Sequence, residues 1–274
     1  MAILVDKHSR VVMQGMGRFH ATACRAYGKG RKCFVAGVDA QHAGESLDGL
    51  PIFGSVREAC EECGATVSVI DVAPADAAAA IDEAIDAGIE LVVCITDGIP
   101  ADDMARVRRR LQESRTRLLG PACPGLITPG HIRIGELPEQ GHRPGRIGVI
   151  SRSAALNAEA ARQLAAYGLG ESTVVGVGSA SGGLDHLDVL ALFDADLGTD
   201  AVLMIGEMGD DVGERRARWI ASHMRKPVVG FVPAGASTQR LDAMRACGIT
   251  LTHNPAAMGE LLASTVAPQW LPFD

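Results

Sequence analysis

The stretch RIGVISRSAALNAEAARQLAAYGLG, residues 146–170, decides the fold of this chain. Its apolar run, Ile147 to Ile150, stops at a Ser-Arg-Ser turn, where a pattern with helical spacing begins. Four residues of that pattern share one helical face: Leu156, Ala160, Leu164 and Tyr167. The stretch therefore predicts a strand, a tight turn and a helix. Because backbone N–H groups are unpaired at a helix start, the turn also predicts a binding site for a phosphate or a carboxylate beside Ser151 and Ser153.

Short strand-like runs alternate with helical patterns along the rest of the chain. The first series is VVMQG (11–15), FVAGV (34–38), VSVI (67–70), IELVVCI (89–95) and RLLG (117–120). The second series is IGVI (147–150), STVVGVG (172–178), AVLMIG (201–206), PVVGFV (227–232) and ITLT (249–252). Near-continuous apolar strands joined by helices predict parallel sheets that are covered on both faces. We predict an α/β protein with two Rossmann-like or flavodoxin-like parallel-sheet domains, each with its ligand at the carboxyl ends of the strands.

The Gly- and Pro-rich segment PACPGLITPGHIRIGELPEQGHRPG (121–145) separates the two series. Such a composition is typical of a connection between domains. We assign residues 1–122 to a first domain, residues 123–145 to a linker and residues 146–274 to a second domain.

Composition limits the class of function. The 274 residues are 47% hydrophobic and 22% charged, which fits globular domains with an ample core. The formal net charge of −7 argues against a nucleic acid or an anionic membrane as partner, because both are held mainly by clustered Lys and Arg. The opening residues turn polar after Val5, and no apolar run reaches the length of a membrane span, so we expect a cytoplasmic protein.

The cysteines predict free thiols rather than disulfides or a metal site. They number seven, which is odd, and most lie in apolar surroundings. Cys60 and Cys63 form a C-x-x-C pair, but no second pair follows to complete a zinc site. We expect no metal in this chain.

Seven short stretches stand out along the sequence: AILVDKHSRVVMQG (2–15), GLPIFGSVREA (49–59), TDGIP (96–100), CPGLITPG (123–130), GVISRS (148–153), MIGEMG (204–209) and KPVVGF (226–231). In this order and at these intervals they resemble the α-subunit family of succinyl-CoA synthetase, over almost the whole chain. The resemblance implies a CoA-binding first domain, a ligase-type second domain and a partner β subunit whose ATP-grasp site holds ATP or GTP with Mg²⁺. It also implies that a small carboxylic acid becomes an acyl phosphate, with phosphate relayed through a histidine of the α subunit, before the CoA thiol attacks.

The resemblance assigns the phosphoryl group to the turn after Ile150. The anion site that it implies consists of four residues: Ser151, Arg152, Ser153 and Ala154. In this chain SRSAAL replaces the Ser-Arg-Ser-Gly-Thr of the family, which adds a methyl group and removes a hydroxyl donor. We expect a weaker anion site that still suits a carboxylate or a transient phosphate.

The CoA-like site implied by the resemblance has also lost contacts. It consists of six residues: Gly15, Gly17, His42, Thr96, Cys123 and Pro124. Only Gly15-Met16-Gly17 remains of a longer Gly-rich loop, and His42 stands where the family places a lysine. Ala122 likewise stands where the family has an asparagine before Cys-Pro-Gly. We expect fewer phosphate contacts and weaker binding of CoA.

The histidine that carries the phosphate in the family is missing. After PVVGFV this chain reads PAGASTQRLDAMRACG (233–248), without the Gly-rich loop that contains that histidine. His253 ends a strand and precedes Asn254-Pro255, a good cap with a proline at the first helical position, so it is either a capping-region residue or a site residue. We interpret His142 as exposed or locally hydrogen-bonded and His186 as part of a helix surface.

Glu207, in MIGEMG, follows a strand at the same edge of the second sheet. In the family this glutamate orients the phosphohistidine, which this chain lacks. Here the carboxylate either caps backbone N–H groups or binds an arginine, or it is a catalytic general base that deprotonates the attacking nucleophile.

Three hypotheses of function follow. In the first, the chain is the α-type subunit of an ATP-dependent carboxylate ligase that works through an acyl phosphate without a phosphohistidine and joins the acyl group to an amine. In the second, the acceptor is still CoA, held more loosely. In the third, the chain is a regulatory or scaffold subunit that keeps the fold to dock a partner. The neighbouring reading frame would help to separate them, because both ligase hypotheses need an ATP-grasp subunit in a heterodimer or heterotetramer.

Overall fold

The computed structural model describes residues 2–15, 25–26, 33–138, 140–178, 182–206, 211–233 and 238–270. The strands are β1 (Val11–Gln14), β2 (Arg25–Ala26), β3 (Phe34–Val38), β4 (Ser46–Leu47), β5 (Leu50–Phe53), β6 (Val67–Ile70), β7 (Leu91–Cys94), β8 (Arg117–Leu119), β9 (Gly125–Thr128), β10 (Ile132–Gly135), β11 (Pro144–Ser151), β12 (Glu171–Gly176), β13 (Ala201–Ile205), β14 (Val228–Phe231) and β15 (Thr250–Thr252). The helices are α1 (Val56–Cys63), α2 (Pro74–Asp86), α3 (Ala101–Gln112), α4 (Ala154–Ala166), α5 (His186–Ala195), α6 (Asp211–His223), α7 (Thr238–Ala246) and α8 (Met258–Trp270). The predicted α/β class is confirmed.

The first sheet has the strand order β4-β5-β3-β1-β6-β7-β8. Its pairs are parallel except for the short hairpin between β4 and β5. The apolar faces of α1, α2 and α3 cover one side, with Val56, Ile81 and Val107 fully buried. The other side shares a core with the second domain, in which Val69 and Phe193 belong to one cluster. The two domains are therefore joined by buried apolar surface.

The second sheet has the strand order β15-β14-β13-β11-β12-β9-β10-β2. The five strands from β15 to β12 are parallel, and β9, β10 and β2 continue the sheet in antiparallel pairs. Helices α4 and α8 pack together on one face. None of the helices in the described ranges has both the length and the apolar character that a membrane span requires.

The predicted linker, residues 123–145, contains strands β9 and β10, which extend the second sheet. Leu126, Ile127, Ile132 and Ile134 are fully buried there. Glycine and proline suggested a loop because they favour turns, but the apolar run of β9 pairs with β12, and that of β10 pairs with β9. The division of the chain at residues 122 and 146 remains a prediction.

Two helix faces differ from the sequence-based expectation. In α4, Ala160 and Leu164 are buried as predicted, whereas Tyr167 is 50% exposed at the end of the helix. In α5, His186 is buried rather than on the surface, because the sheet covers the face that carries Val189 and Phe193. Apolar residues surround α5 on several sides, so their spacing could not indicate which face packs against the strands.

His142 is also buried, contrary to expectation. Its Nδ1 lies 3.1 Å from Oε1 of Glu171, at the first residue of β12, and both side chains are almost completely enclosed. The second carboxylate oxygen, Oε2, accepts the backbone N–H of Arg143 at 3.0 Å. A partner 29 residues along the chain decides the environment of this histidine.

Candidate functional site

The turn between β11 and α4 is built by two serines. Ser153 is the N-cap of α4, and its hydroxyl oxygen accepts the N–H of Leu156 at 3.3 Å. The buried hydroxyl of Ser151 accepts the N–H of Ser153 at 2.9 Å. These bonds fix the end of the strand against the start of the helix, as predicted for an N-cap serine.

Two backbone donors remain at this helix start. Within the described residues, the N–H groups of Ala154 and Ala155 meet no acceptor, as expected for the first turn of a helix. The helix dipole adds partial positive charge at the same place. Ser153 is half-buried, and Arg152 beside it is exposed. The strand, turn and helix are confirmed, and the binding of an anion to residues 151–154 remains a prediction that this geometry supports.

His253 lies at the same carboxyl edge of the second sheet, just after β15. Its Nδ1 is 2.8 Å from the carbonyl oxygen of Val232. A carbonyl oxygen can only accept, so Nδ1 is protonated and donates the hydrogen bond. The ring is exposed. Asn254 caps the following 3₁₀ turn, Pro255–Ala257, through the N–H of Ala256, which confirms the predicted cap.

Two residues of the predicted sites, Glu207 and Gly17, lie outside the described residues. The catalytic role of Glu207 as a general base therefore remains a prediction. Gly206, directly before it, follows β13 in the left-handed region with φ 82°, and its N–H donates to the carbonyl of Phe231 at 2.9 Å.

In the first domain, Gly15 directly follows β1. Its φ is +100°, and a Cβ at this position would lie 2.1 Å from the carbonyl oxygen of Asp71. Only glycine can therefore occupy the end of this strand.

His42 lies in the loop after β3 and pairs with Asp39. The two side chains are 2.9 Å apart through Nδ1 and Oδ2, and His42 is exposed. The hydrogen bond and charge of Asp39 raise the pKa of His42 above its ordinary value of 6.5, whereas the same hydrogen bond lowers the pKa of Asp39. Nothing in the sequence marked Asp39, because its role depends on where the loop places His42.

Thr96, Cys123 and Pro124 build the same edge of the first domain but turn their functional groups inward. The Thr96 hydroxyl donates to the carbonyl oxygen of Val72 at 3.1 Å. The backbone N–H of Val72 donates in return to the hydroxyl oxygen of Thr96, also at 3.1 Å. Burial raises the pKa of the Cys123 thiol to about 12. The Thr96 hydroxyl is therefore engaged within the fold, and the binding of CoA by Thr96, Cys123 and Pro124 remains a prediction.

Ala122, directly before Cys123, adopts the left-handed conformation with φ 54°. This conformation costs an ordinary L-residue roughly 1–2 kcal/mol, and asparagine tolerates it better than alanine. We expect Ala122→Asn to raise the free energy of unfolding by about 0.5–1 kcal/mol, measured by urea denaturation. The control is Ala191→Asn at an exposed position inside α5, which should lower it by about 0.7 kcal/mol. An equal loss in the free energy of unfolding at both positions would contradict the left-handed conformation of Ala122.

Metal ligands do not gather in the described part of the chain, where no group of three or more His, Cys, Asp or Glu side chains could hold an ion. The six cysteines described there are free thiols.

Comparison with known proteins defines the class. The family described as CoA binding domain matches residues 6–98, and the family described as succinyl-CoA ligase like flavodoxin domain matches residues 144–265. The chain is 41% identical over 290 residues to the α subunit of an ADP-forming succinate–CoA ligase from Aquifex aeolicus. The alignment covers 96% of this chain and 94% of the relative. It is 42% identical over 296 residues to the α subunit of a malate–CoA ligase from Methylorubrum extorquens, and that alignment covers 97% of this chain and 99% of the relative.

Solved structures show the same architecture. ATP citrate lyase from Methanothrix soehngenii superimposes with a TM-score of 0.85 at 19% identity, over 99% of this chain and 52% of that one. An acetyl-coenzyme A synthetase from Ca. Korarchaeum cryptofilum gives a TM-score of 0.68 at 22% identity, over 83% of this chain and 53% of that one. This chain spans about half of each of those proteins, and the likeness concerns the fold alone.

The order of a CoA-binding domain and a ligase-type flavodoxin-like domain in one chain is that of CoA ligase subunits. This chain belongs to the family of succinate–CoA ligase α subunits.

Proposed function

We propose that this chain is the α-type subunit of an ATP-dependent carboxylate–CoA ligase that activates a small dicarboxylic acid as an acyl phosphate, without a phosphohistidine. The observation that carries the proposal is the helix start of α4, with the N–H groups of Ala154 and Ala155 open to an anion at the carboxyl edge of the second sheet. The acids follow from the names of the relatives, which act on succinate and malate.

The reaction needs no covalent relay. A carboxylate oxygen of the acid attacks the γ-phosphorus of the nucleoside triphosphate, and the nucleoside diphosphate leaves. The sulfur of CoA then attacks the acyl carbon, and inorganic phosphate leaves. The start of α4 stabilises negative charge on the phosphoryl group in both steps, which is the role that fixed backbone donors fill best.

The nucleotide is proposed to bind to a partner. The relatives are α subunits by name, and this sequence has no G-x-x-x-x-G-K-[ST] run. We propose an ATP-grasp β-type subunit that holds ATP or GTP with Mg²⁺, in a heterodimer or heterotetramer. The isolated chain should then be inactive.

The acceptor is where the sequence-based hypotheses diverge. The sequence alone favoured an amine, because the Gly-rich loop is short and His42 replaces a lysine. Identity above 40% to two CoA ligases, over nearly the whole chain, now favours CoA. An amine stays as the second candidate, because the Thr96 hydroxyl and the Cys123 thiol are turned away from a ligand at this edge.

The test uses the complex of this chain with its proposed β-type subunit. Nucleoside diphosphate release is measured with succinate or L-malate, and with CoA or a panel of amines. The proposal predicts acyl-CoA, and a hydroxamate when hydroxylamine replaces CoA. Product with amines but not with CoA would favour the second candidate, and a complex that releases no diphosphate with any acid would favour a scaffold.

We expect this chain to take no stable phosphate from ATP or GTP. The histidine-bearing loop is missing, so no imidazole is expected beside the helix start that holds the phosphoryl group. The complex is incubated with γ-labelled nucleotide, and the protein-bound label is tested for stability in acid and base. A label on His253 that is labile in acid and stable in base would contradict the prediction.

CoA binding should weaken as the pH rises through the pKa of His42. The pKa is raised above 6.5, and the protonated ring attracts the phosphates of CoA, so the attraction is complete at low pH and lost on the alkaline side. Calorimetry on the complex between pH 6 and about pH 9 measures the effect. In His42→Lys the decrease should disappear over this range, and an unchanged decrease in the variant would assign it to another group.

A further inference from the structure

Asn157, in the first turn of α4, has an unusual environment. Its side chain is buried with 1% exposed, and neither its Nδ2 nor its Oδ1 has a hydrogen-bond partner among the residues that the structure describes. Most buried amides are fully bonded, because an unpaired polar group in the interior is costly. Gln163, two turns along the same helix, shows the ordinary case.

Gln163 is buried and satisfied at both ends. Its Nε2 donates to Glu159 at 2.5 Å and to the carbonyl of Pro255 at 2.7 Å, and its Oε1 accepts the N–H of Gly259 at 2.9 Å. The fold therefore supplies partners to the amide of Gln163 and, among the described residues, none to that of Asn157. Folding gives Asn157 no reason to be polar.

The position of Asn157 along the helix indicates a role. Side chains on a helix lean toward its N-terminus, so a residue in the first turn covers the helix start. Asn157 follows Ala154 and Ala155, whose N–H groups also lack an acceptor among the described residues. The unpaired amide and the two unpaired backbone donors lie on the same turn.

We propose that Asn157 selects the acid substrate, and that the preferred acid carries a hydroxyl group next to the reacting carboxyl. The inference rests on the proposed function. An amide offers both donors and an acceptor. A carboxyl or phosphoryl oxygen satisfies the Nδ2 donor, but only a ligand that also donates satisfies Oδ1. A plain dicarboxylic acid leaves that oxygen unpaired, whereas a 2-hydroxy dicarboxylic acid pairs it. The amide is closed to solvent, so contact requires a side-chain rotation toward the helix start.

The test compares kcat/KM for L-malate and succinate in the full complex. The wild type should prefer malate, and Asn157→Leu should abolish the preference by lowering kcat/KM for malate about 10- to 100-fold, with succinate changed by less than about threefold. The midpoint of thermal unfolding should not fall, because the variant removes an unpaired buried amide. Gln163→Leu is the matched control: it should lower the midpoint and leave the ratio of the two acids unchanged.

Three outcomes would overturn the inference: a wild type that prefers succinate, an unchanged ratio in Asn157→Leu, or an Asn157→Leu variant that loses stability and both activities equally. The last result would mean that the amide holds a structural water. If the complex makes no acyl-CoA, the proposed function fails, and calorimetric binding of malate and succinate to wild type and Asn157→Leu then decides the role of Asn157 separately.

Discussion

Replacing Gly125 with alanine is expected to unfold the second domain at temperatures where the wild type is stable. Gly125 lies in β9, opposite Gly135 of β10 on one side and Gly176 of β12 on the other. Its φ is +101°, and a Cβ would lie 1.9 Å from the carbonyl oxygen of Ile134. The obstacle is the backbone of a neighbouring strand, which cannot move without breaking the sheet.

Two costs add at this position. The left-handed conformation costs an alanine about 1–3 kcal/mol, and the overlap forces backbone shifts that cost a similar amount. A total loss of about 2–6 kcal/mol is comparable at its upper end with the entire stability of many domains. Urea denaturation followed by circular dichroism measures the loss.

Gly88→Ala is the matched control for Gly125→Ala. Gly88 has a φ of +77°, but nothing lies within 4 Å of the Cβ position, so only the conformational cost applies. We expect a loss of roughly 1 kcal/mol there. If Gly125→Ala costs no more than Gly88→Ala, strands β9, β10 and β12 do not approach each other as closely as the structure shows.

Replacing Ser153 with aspartate is expected to lower kcat/KM of the assembled ligase by about 100-fold or more, without loss of stability. Aspartate caps a helix as well as serine does, and its charge is favourable at a helix start. The same carboxylate would occupy the place proposed for the anion and repel the phosphoryl group. Removing one group that stabilises such charge typically costs about 10²–10³ in rate.

Ser153→Asn separates charge from capping. Asparagine is also a good cap, but it is neutral, so the ratio of activities between the Asn and Asp variants isolates the effect of the negative charge. Thermal unfolding of both variants checks that the fold is kept. Equal activity in the two variants would mean that the start of α4 does not hold the reacting anion.

Local patterns were enough to predict the order of strands and helices. The run from Ile147 to Ile150, the Ser153 cap and the helix that follows are confirmed, because alternation, capping and helix spacing are properties of neighbouring residues. The cap at Asn254 was predictable for the same reason.

Other features depend on partners far along the chain. Strands β9 and β10 form within a segment that composition assigned to a linker, because β12 offers an edge to β9 and β9 offers one to β10. His142 is buried because Glu171 accepts its hydrogen bond, and His186 is buried because the sheet covers its side of α5. No pattern within a few residues contains this information.

The candidate site divides in the same way. The sequence by itself determined the two-domain α/β class, the family, the turn at residues 151–154 and the loss of the histidine loop, since each is written in consecutive residues. Only the tertiary structure decided that the Thr96 hydroxyl bonds to Val72, and that Asn157 is buried without a partner among the described residues. The physical reason is that burial and hydrogen bonding are set by which distant segments meet, and the energy of a polar group depends on that meeting more than on its neighbours in sequence.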